Sequence, residues 1–351
     1  MTFRLQQTAI WLSLIAAFLT APAIAQSSPT FVPPKTAFGY PDLQGVWTNQ
    51  SITGLTRPPG VASLVVSDEQ AEKIVASDFW IRAGEGQSEP APTDKPPEEG
   101  DARFGDQGYN SFWLDPGQSL ARIKGELRTS WITYPKSGQI PLSAEARRQI
   151  GAYQARRAGT SYMEGGNFSD PEELPISERC LIGFSGTGGP VMLNPIYNSN
   201  YQIVQTQSHV MIMAEMVHDA RIIPINGQHR PDVMRPWLGD SIGWYEGDTL
   251  VVETRNLHPE QAVSGPIFLS SEGKVTERFT RTSPTEIVHE FRIDDPQFYT
   301  EAWGGEIAFK AKDGPIYEYA CHEGNYSVPG ILAGSRVFEE KARMNGRAAS
   351  R

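Results

Sequence analysis

Ile242-Gly243-Trp244-Tyr245-Glu246-Gly247-Asp248-Thr249-Leu250-Val251-Val252-Glu253-Thr254-Arg255 decides how this chain folds. Two runs of β-branched and aromatic residues flank Glu246-Gly247-Asp248, a composition that suits the positive φ of a tight hairpin turn. Turn pairs recur at Glu272-Gly273 and Asp313-Gly314. Working outward from this hairpin, strands are expected at 201–206, 210–217, 220–225, 242–245, 249–255, 275–282, 286–293, 298–309 (bulged at Gly304-Gly305) and 316–320. A meander of this length predicts a mainly β chain: an antiparallel, up-and-down barrel whose lumen can hold a small ligand.

A first strand stands far upstream, within 42–50. Its Gly45-Val46-Trp47 resembles the opening strand of lipocalin-like barrels, where the tryptophan closes one end beneath a basic side chain. A long helical and loop insertion, 51–196, separates it from the remaining strands at 197–320. Ser67-Asp68-Glu69-Gln70 is a capping box for a helix to about residue 77. The stretch 85–105 is rich in Pro, Glu, Asp and Gly and predicts an exposed loop. A short hairpin is expected between 127–134 and 139–142, and a second helix over 144–157. Gly183-Phe184-Ser185-Gly186-Thr187-Gly188-Gly189-Pro190 lacks the fifth-position glycine of a nucleophile elbow, having Thr187 there. It also lacks the strand before and helix after that a phosphate loop needs. It is expected to be a loop across the barrel mouth. A short amphipathic C-terminal helix, 331–344, completes a single barrel domain running from 42 to 351.

The N-terminus has the pattern of an export leader. Arg4 precedes an apolar run at 10–19, and Ala23-Ile24-Ala25 is a small-x-small cleavage site, so a cut after Ala25 and a periplasmic or secreted location are expected. A flexible polar lead would follow, to residue 41, and no later stretch is apolar enough to span a bilayer. The formal net charge is −10, which makes nucleic acid and anionic membrane surfaces poor partners. Cys180 and Cys321 predict one disulfide in an exported chain, closing a loop of about 140 residues; the alternative is a Cys321 nucleophile beside His322. With no CxxC, HExxH or Asp-rich calcium loop, neither a metal nor a cofactor is expected.

Strand parity indicates which side chains share a face. His289 falls among Ile287, Phe291 and Ile293, Glu277 between Val275 and Phe279, and Arg221 beside Ile223. Glu215, His218, Asp219 and Arg221 lie within seven residues, and Glu215 and Arg221 could pair across the Val217-His218-Asp219 turn. For acid/base chemistry, His218 or His322 would move the proton, Glu215 or Asp240 would orient it, and Arg221 would hold an enolate or carboxylate. Trp237, Ser241, Glu277, His289, Trp303, Tyr319 and Glu323 are the candidate ligand-binding residues.

Trp237-Leu238-Gly239-Asp240-Ser241-x-Gly243-Trp244-x-Glu246-Gly247-Asp248-Thr249-Leu250-Val251-Val252, Glu277-Arg278-Phe279-Thr280-Arg281 and Tyr317-Glu318-Tyr319-Ala320-Cys321-His322-Glu323-Gly324-Asn325-Tyr326 resemble blocks of a family of exported bacterial proteins, many from soil and aquatic bacteria. The resemblance covers the chain from Asp42 to the C-terminal helix. It implies one exported unit containing a β-barrel and assigns no reaction. Two functions are expected from the residues themselves. The first is a cofactor-independent lyase, isomerase or hydrolase acting on a small, partly apolar or aromatic molecule. The second is a non-catalytic carrier of a small apolar ligand; a structural protein of the envelope is a third.

Overall fold

The computed structural model describes residues 31–86, 115–157, 168, 170–261 and 266–349. The expected leader and nearly all of the 85–105 loop lie outside the described residues. The described residues from Val32 onward form one compact unit, which holds every strand found among the described residues.

The first strand, β1 (Gly45–Thr48), is followed by short insertion strands β2 (Val65–Val66), β3 (Arg122–Ile123), β4 (Glu126–Arg128) and β5 (Ile132–Tyr134). The meander supplies β6 (Asn200–Gln205), β7 (His209–Ala214), β8 (Ala220–Pro224), β9 (Asp240–Glu246), β10 (Thr249–Arg255), β11 (Lys274–Ser283), β12 (Glu286–Asp294) and β13 (Trp303–Ala311). Nine of these form a nearly closed barrel in the order β8-β7-β6-β1-β13-β12-β11-β10-β9, every neighbour antiparallel. Thus β1 slots between β6 and β13, as its early position in the chain allows. β5 pairs with β13 off this path, with a register shift at Gly304/Gly305, the position of the expected bulge. β2, β4 and β3 make a separate small sheet.

An odd number of antiparallel strands has a consequence at closure. The two end strands, β8 and β9, run parallel, and they meet at one parallel bridge, Ile225↔Gly243. The Asn226 N–H donates to the Gly243 carbonyl at 2.7 Å. In a parallel ladder the next bond toward the strand starts would run from the N–H of residue 224 to the Ser241 carbonyl. Residue 224 is proline and has no N–H, so that bond is missing. Gly243 lets the strands touch at the bridge, since a Cβ there would lie 2.9 Å from Ile223 Cγ2.

The barrel interior is largely aromatic, with Arg221, Glu277 and His289 as its buried polar cluster. Trp47, Tyr201, Phe279, Phe291, Trp303 and Phe309 are all buried, as strand alternation requires of inward positions. Trp47 donates through Nε1 to the Leu43 carbonyl at 3.0 Å, and the Arg281 guanidinium carbon lies 5.4 Å from its ring centre. This is the tryptophan-under-cation arrangement expected of the Gly45-Val46-Trp47 strand. Cys180 and Cys321 form the expected disulfide across a separation of 141 residues.

The two expected insertion helices form as α1 (Asp68–Ser77), with its capping box, and α3 (Ala144–Arg157); α2 (Phe79–Gly86) follows α1 directly. Four expectations need correction. The lead is pinned by residue 40 at the latest: Tyr40 stacks on Tyr245 at 4.3 Å, and the Asp42 N–H donates to the Pro34 carbonyl. The 127–134 and 139–142 segments do not form a hairpin; β4 and β5 pair instead with β2, β3 and β13. No strand forms at 316–320, because side chains take its N–H groups: Tyr317 donates to Glu215 Oε2 at 3.1 Å and Tyr319 to His218 Nε2 at 2.9 Å. Beyond the turn α4 (Cys321–Gly324), the C-terminal helix α5 runs over Ser327–Ala349, longer than expected.

Candidate functional site in the barrel seam

Beside the Ile225–Gly243 bridge, residues of β8 and β9 line a cleft of about 390 Å³. Its walls include Ala220, Arg221 and Ile222 from β8 and Asp240 and Ser241 from β9; the connecting loop adds Trp237. His218 and Asp219 line the end nearest the disulfide. The cleft lies where the two ends of the sheet meet, and the lumen itself is filled by the core.

The turn entering β8 is strained. Val217 and His218 adopt φ of 57° and 56°, a region that a β-branched residue strongly disfavours. This conformation turns the chain out of β7 and lets His218 reach the C-terminal segment. Because its Nε2 accepts the Tyr319 N–H, His218 carries its ring proton on Nδ1 when neutral. Asp219 is buried, with Oδ2 accepting the Gly183 N–H at 2.7 Å. Burial pushes its carboxyl up to about 6, a rise only partly offset by the Gly183 hydrogen bond and by His218.

The Gly-rich run makes these placements possible. A Cβ at Gly188 would stand 2.6 Å from Asp219 Oδ2, and one at Gly189 would stand 2.9 Å from Arg221 Nη1. The loop packs on the turn and β8 at a distance that only glycine permits.

Arg221 points inward, in keeping with strand parity, and meets Glu277 on β11. Nη1 donates to Glu277 Oε1 at 3.1 Å and Nη2 to Oε2, a two-pronged pair with both side chains inaccessible to solvent. Nη2 also donates to Thr254 Oγ1 at 3.0 Å, and Thr254 shares a 2.8 Å hydrogen bond with Ser241. His289 stacks on Phe279 at 4.5 Å and lies 3.0 Å from Glu277 Oε1 through Nε2. Burial alone would raise the Glu277 carboxyl; Arg221 and His289 outweigh it and hold the group below the usual carboxylate range. Among the described residues, Arg221 Nε and His289 Nδ1 have no hydrogen-bond partner.

On the β9 side, Asp240 is buried and accepts from the Arg230 N–H at 2.8 Å. Its Oδ2 lies 2.8 Å from His229 Nδ1, while His229 Nε2 lies 3.2 Å from Glu253 Oε1. His229 sits in a loop outside every periodic segment, so parity carries no information about it. The two carboxylates bracket its ring from opposite sides. Among the described residues no group of three or more His, Cys, Asp or Glu could hold a metal ion. Trp237 is stiffened by stacking on His258 at 3.7 Å.

The cleft thus gathers His218, Arg221, Asp240, Trp237 and Ser241 from the expected set and adds Asp219. Glu277 and His289 lie behind it in the barrel interior. Glu215 is buried elsewhere: it accepts from Asn198 and Asn200 at 2.7 and 3.0 Å and does not pair with Arg221. Trp303 is a fully buried core residue, edge-on to Tyr299 and Phe291. Tyr319 hydrogen-bonds Tyr197 outside the barrel, and His322 and Glu323 are exposed on α4. Cys321 is in the disulfide, which removes it as a nucleophile. Comparison of the chain with protein-family models, curated proteins and solved structures returns no match.

Proposed function

We propose that this chain is an exported, cofactor-independent enzyme of the lyase, isomerase or hydrolase type, using acid/base chemistry on a small, partly apolar molecule in the seam cleft. One observation carries the reading: a buried carboxyl poised near pH 6, Asp219, shares a cleft with a histidine, His218, and an accessible cation, Arg230. A proton-transfer group works best when its pKa lies near the working pH. Asp219 takes or gives the proton, and the Nδ1–H of His218 lies on the adjoining residue to donate to a developing oxyanion. Arg221 and Glu277 form a buried ion pair behind the cleft that holds β8 against β11. Strain at Val217 and His218 is stored where such pre-organisation is used.

The test is a turnover screen of the purified, disulfide-intact protein against small aromatic and alicyclic esters, lactones and hydroxycarbonyl compounds. Asp219→Asn should reduce turnover of any hit by about 10²–10⁴-fold, with the wild-type rate changing around pH 6. Equal rates in wild type, Asp219→Asn and His218→Ala would sink the proposal. A ligand that binds the cleft and is recovered unchanged would replace it by the carrier reading, which the flat, stiffened face of Trp237 supports.

A further inference from the structure

The helix α5 presents two different sides. Ser335 is buried, and Val328, Ile331, Leu332 and Glu339 are partly buried; helical spacing puts these five on one side. The opposite side carries Val337, Lys341 and Met344 at i, i+4 and i+7, with Phe338 beside them. Val337, Phe338 and Met344 are 54%, 47% and 54% exposed, and the Lys341 ammonium lies 6.0 Å from the Phe338 ring centre. A single exposed apolar residue is ordinary, but three on one helical face make a patch. Charge is also unevenly placed. Of 31 basic and 41 acidic residues, five and two fall within 336–351, leaving 26 and 39 elsewhere, so this end carries +3 and the remainder −13. Arg336 and Arg343, seven residues apart, run along the flank of the apolar face. They pair with Glu339 and Glu340 in exposed ion pairs, which contribute little and exchange for another anion.

We infer that the outward face of α5 docks on an anionic phospholipid surface, holding the barrel reversibly at a membrane. The inference is independent of the seam cleft. Val337, Phe338 and Met344 enter the boundary between headgroups and acyl chains, about 5–10 Å deep, while Lys341 reaches back to the headgroups. Arg336 and Arg343 pair with lipid phosphates along the flank. The overall charge of −10 opposes such a surface at long range. At contact, charges beyond about 8 Å are largely screened at physiological salt, and the basic helix sets the local sign. A second copy of the chain fits this face less well: two such helices repel by like charge, and three apolar side chains fall far short of the roughly 20–30 residues a side in a stable protein interface. A zwitterionic surface would take the apolar face and leave the basic flank without a counter-charge.

The experiment is vesicle co-sedimentation of the chain from Gln26 onward with its disulfide intact, since the residues from Val32 form one compact unit and the expected leader would itself bind lipid. Vesicles of phosphatidylcholine alone are compared with vesicles holding about 30% phosphatidylglycerol. Partition into the anionic vesicles should be at least about tenfold greater, and should fall away as salt rises from about 0.05 to 0.5 M. The triple variant Val337→Ser, Phe338→Ser, Met344→Ser changes exposed positions and should keep the barrel, checked by near-ultraviolet circular dichroism; its binding should drop about tenfold or more. Lys341→Glu leaves the apolar face intact and should weaken binding about threefold or more. Absence of binding, equal partition into both kinds of vesicle, or unchanged binding in either variant overturns the inference. So does a wild-type dimer in sedimentation velocity that the triple variant abolishes without any vesicle binding, which would assign the face to a second copy.

Discussion

Asp219 and Glu277 show opposite outcomes for a buried carboxyl. Glu277 has a cation and an imidazole against its oxygens and is held ionised. Asp219 has one N–H donor and is pushed up to about 6. The signs for stability differ accordingly. Glu277, lowered in the folded state, contributes stability present above its unfolded pKa and lost as pH falls through its folded value. Asp219, raised from 3.8, contributes stability that is full below the unfolded value and lost as pH rises through about 6. Asp219→Asn keeps the acceptor for Gly183 and removes the buried charge. Urea titrations at pH 4 and pH 8 should therefore show a variant that is more stable than wild type at pH 8, by up to about 3 kcal/mol. Its stability should vary less between those two pH values, even as turnover falls. Glu277→Ala strands Arg221 in the core without its counter-charge and should cost about 3–5 kcal/mol in urea unfolding. Parity alone places Glu277, His289 and Arg221 on inward faces, since alternation is a local property of a strand. Convergence at the cleft depends on how the sheet closes, so the partnership of Asp219 with the Gly-rich loop was not legible. The loop residue His229 carries no periodic signal.

At the scale of elements, the seam is held at one point. Gly243→Val would drive a side chain into Ile223 and should lower stability by about 1–3 kcal/mol. Hydrogen exchange should localise the loss to β8 and β9. Pro224→Val should act in the opposite direction, with slowed exchange at position 224. The hairpin from β9 to β10 was legible because turn chemistry and β-propensity agree within fourteen residues. The stretch 316–320 has equal β-propensity and forms no strand. Its N–H groups are captured by Glu215 and His218, residues about a hundred positions away that no local pattern can reveal. The number of strands, and with it the parallel seam, follows from where β1 inserts, between β6 and β13.

Across the whole molecule, the C-terminal segment is fastened to the barrel by the disulfide, by the hydrogen bonds to Glu215 and His218, and by Asn325, which donates to the Glu178 carbonyl. Replacing both cysteines by serine should lower global stability by up to about 5 kcal/mol in the chain-entropy account. Limited proteolysis should then cut first between 315 and 326, while wild type resists there. A barrel-like sheet was legible in the spacing of turns, and the disulfide in the cysteine count. The insertion pairings were not, because strands of two or three residues carry too little pattern to specify a partner.

The lone bridge also governs how the protein behaves in a crowd. A barrel normally has no free margin, yet here two strand margins meet at one bridge and are covered by the 226–239 loop and by Leu181 and Ile182. When the Ile225–Gly243 contact opens, the margin of β8 with its exposed Ile222 becomes available for pairing with a second chain. Pro231 and Pro236 in the covering loop, and Pro224 on β8 itself, cannot donate to such a pairing. The proline on this margin therefore guards it against runaway self-association.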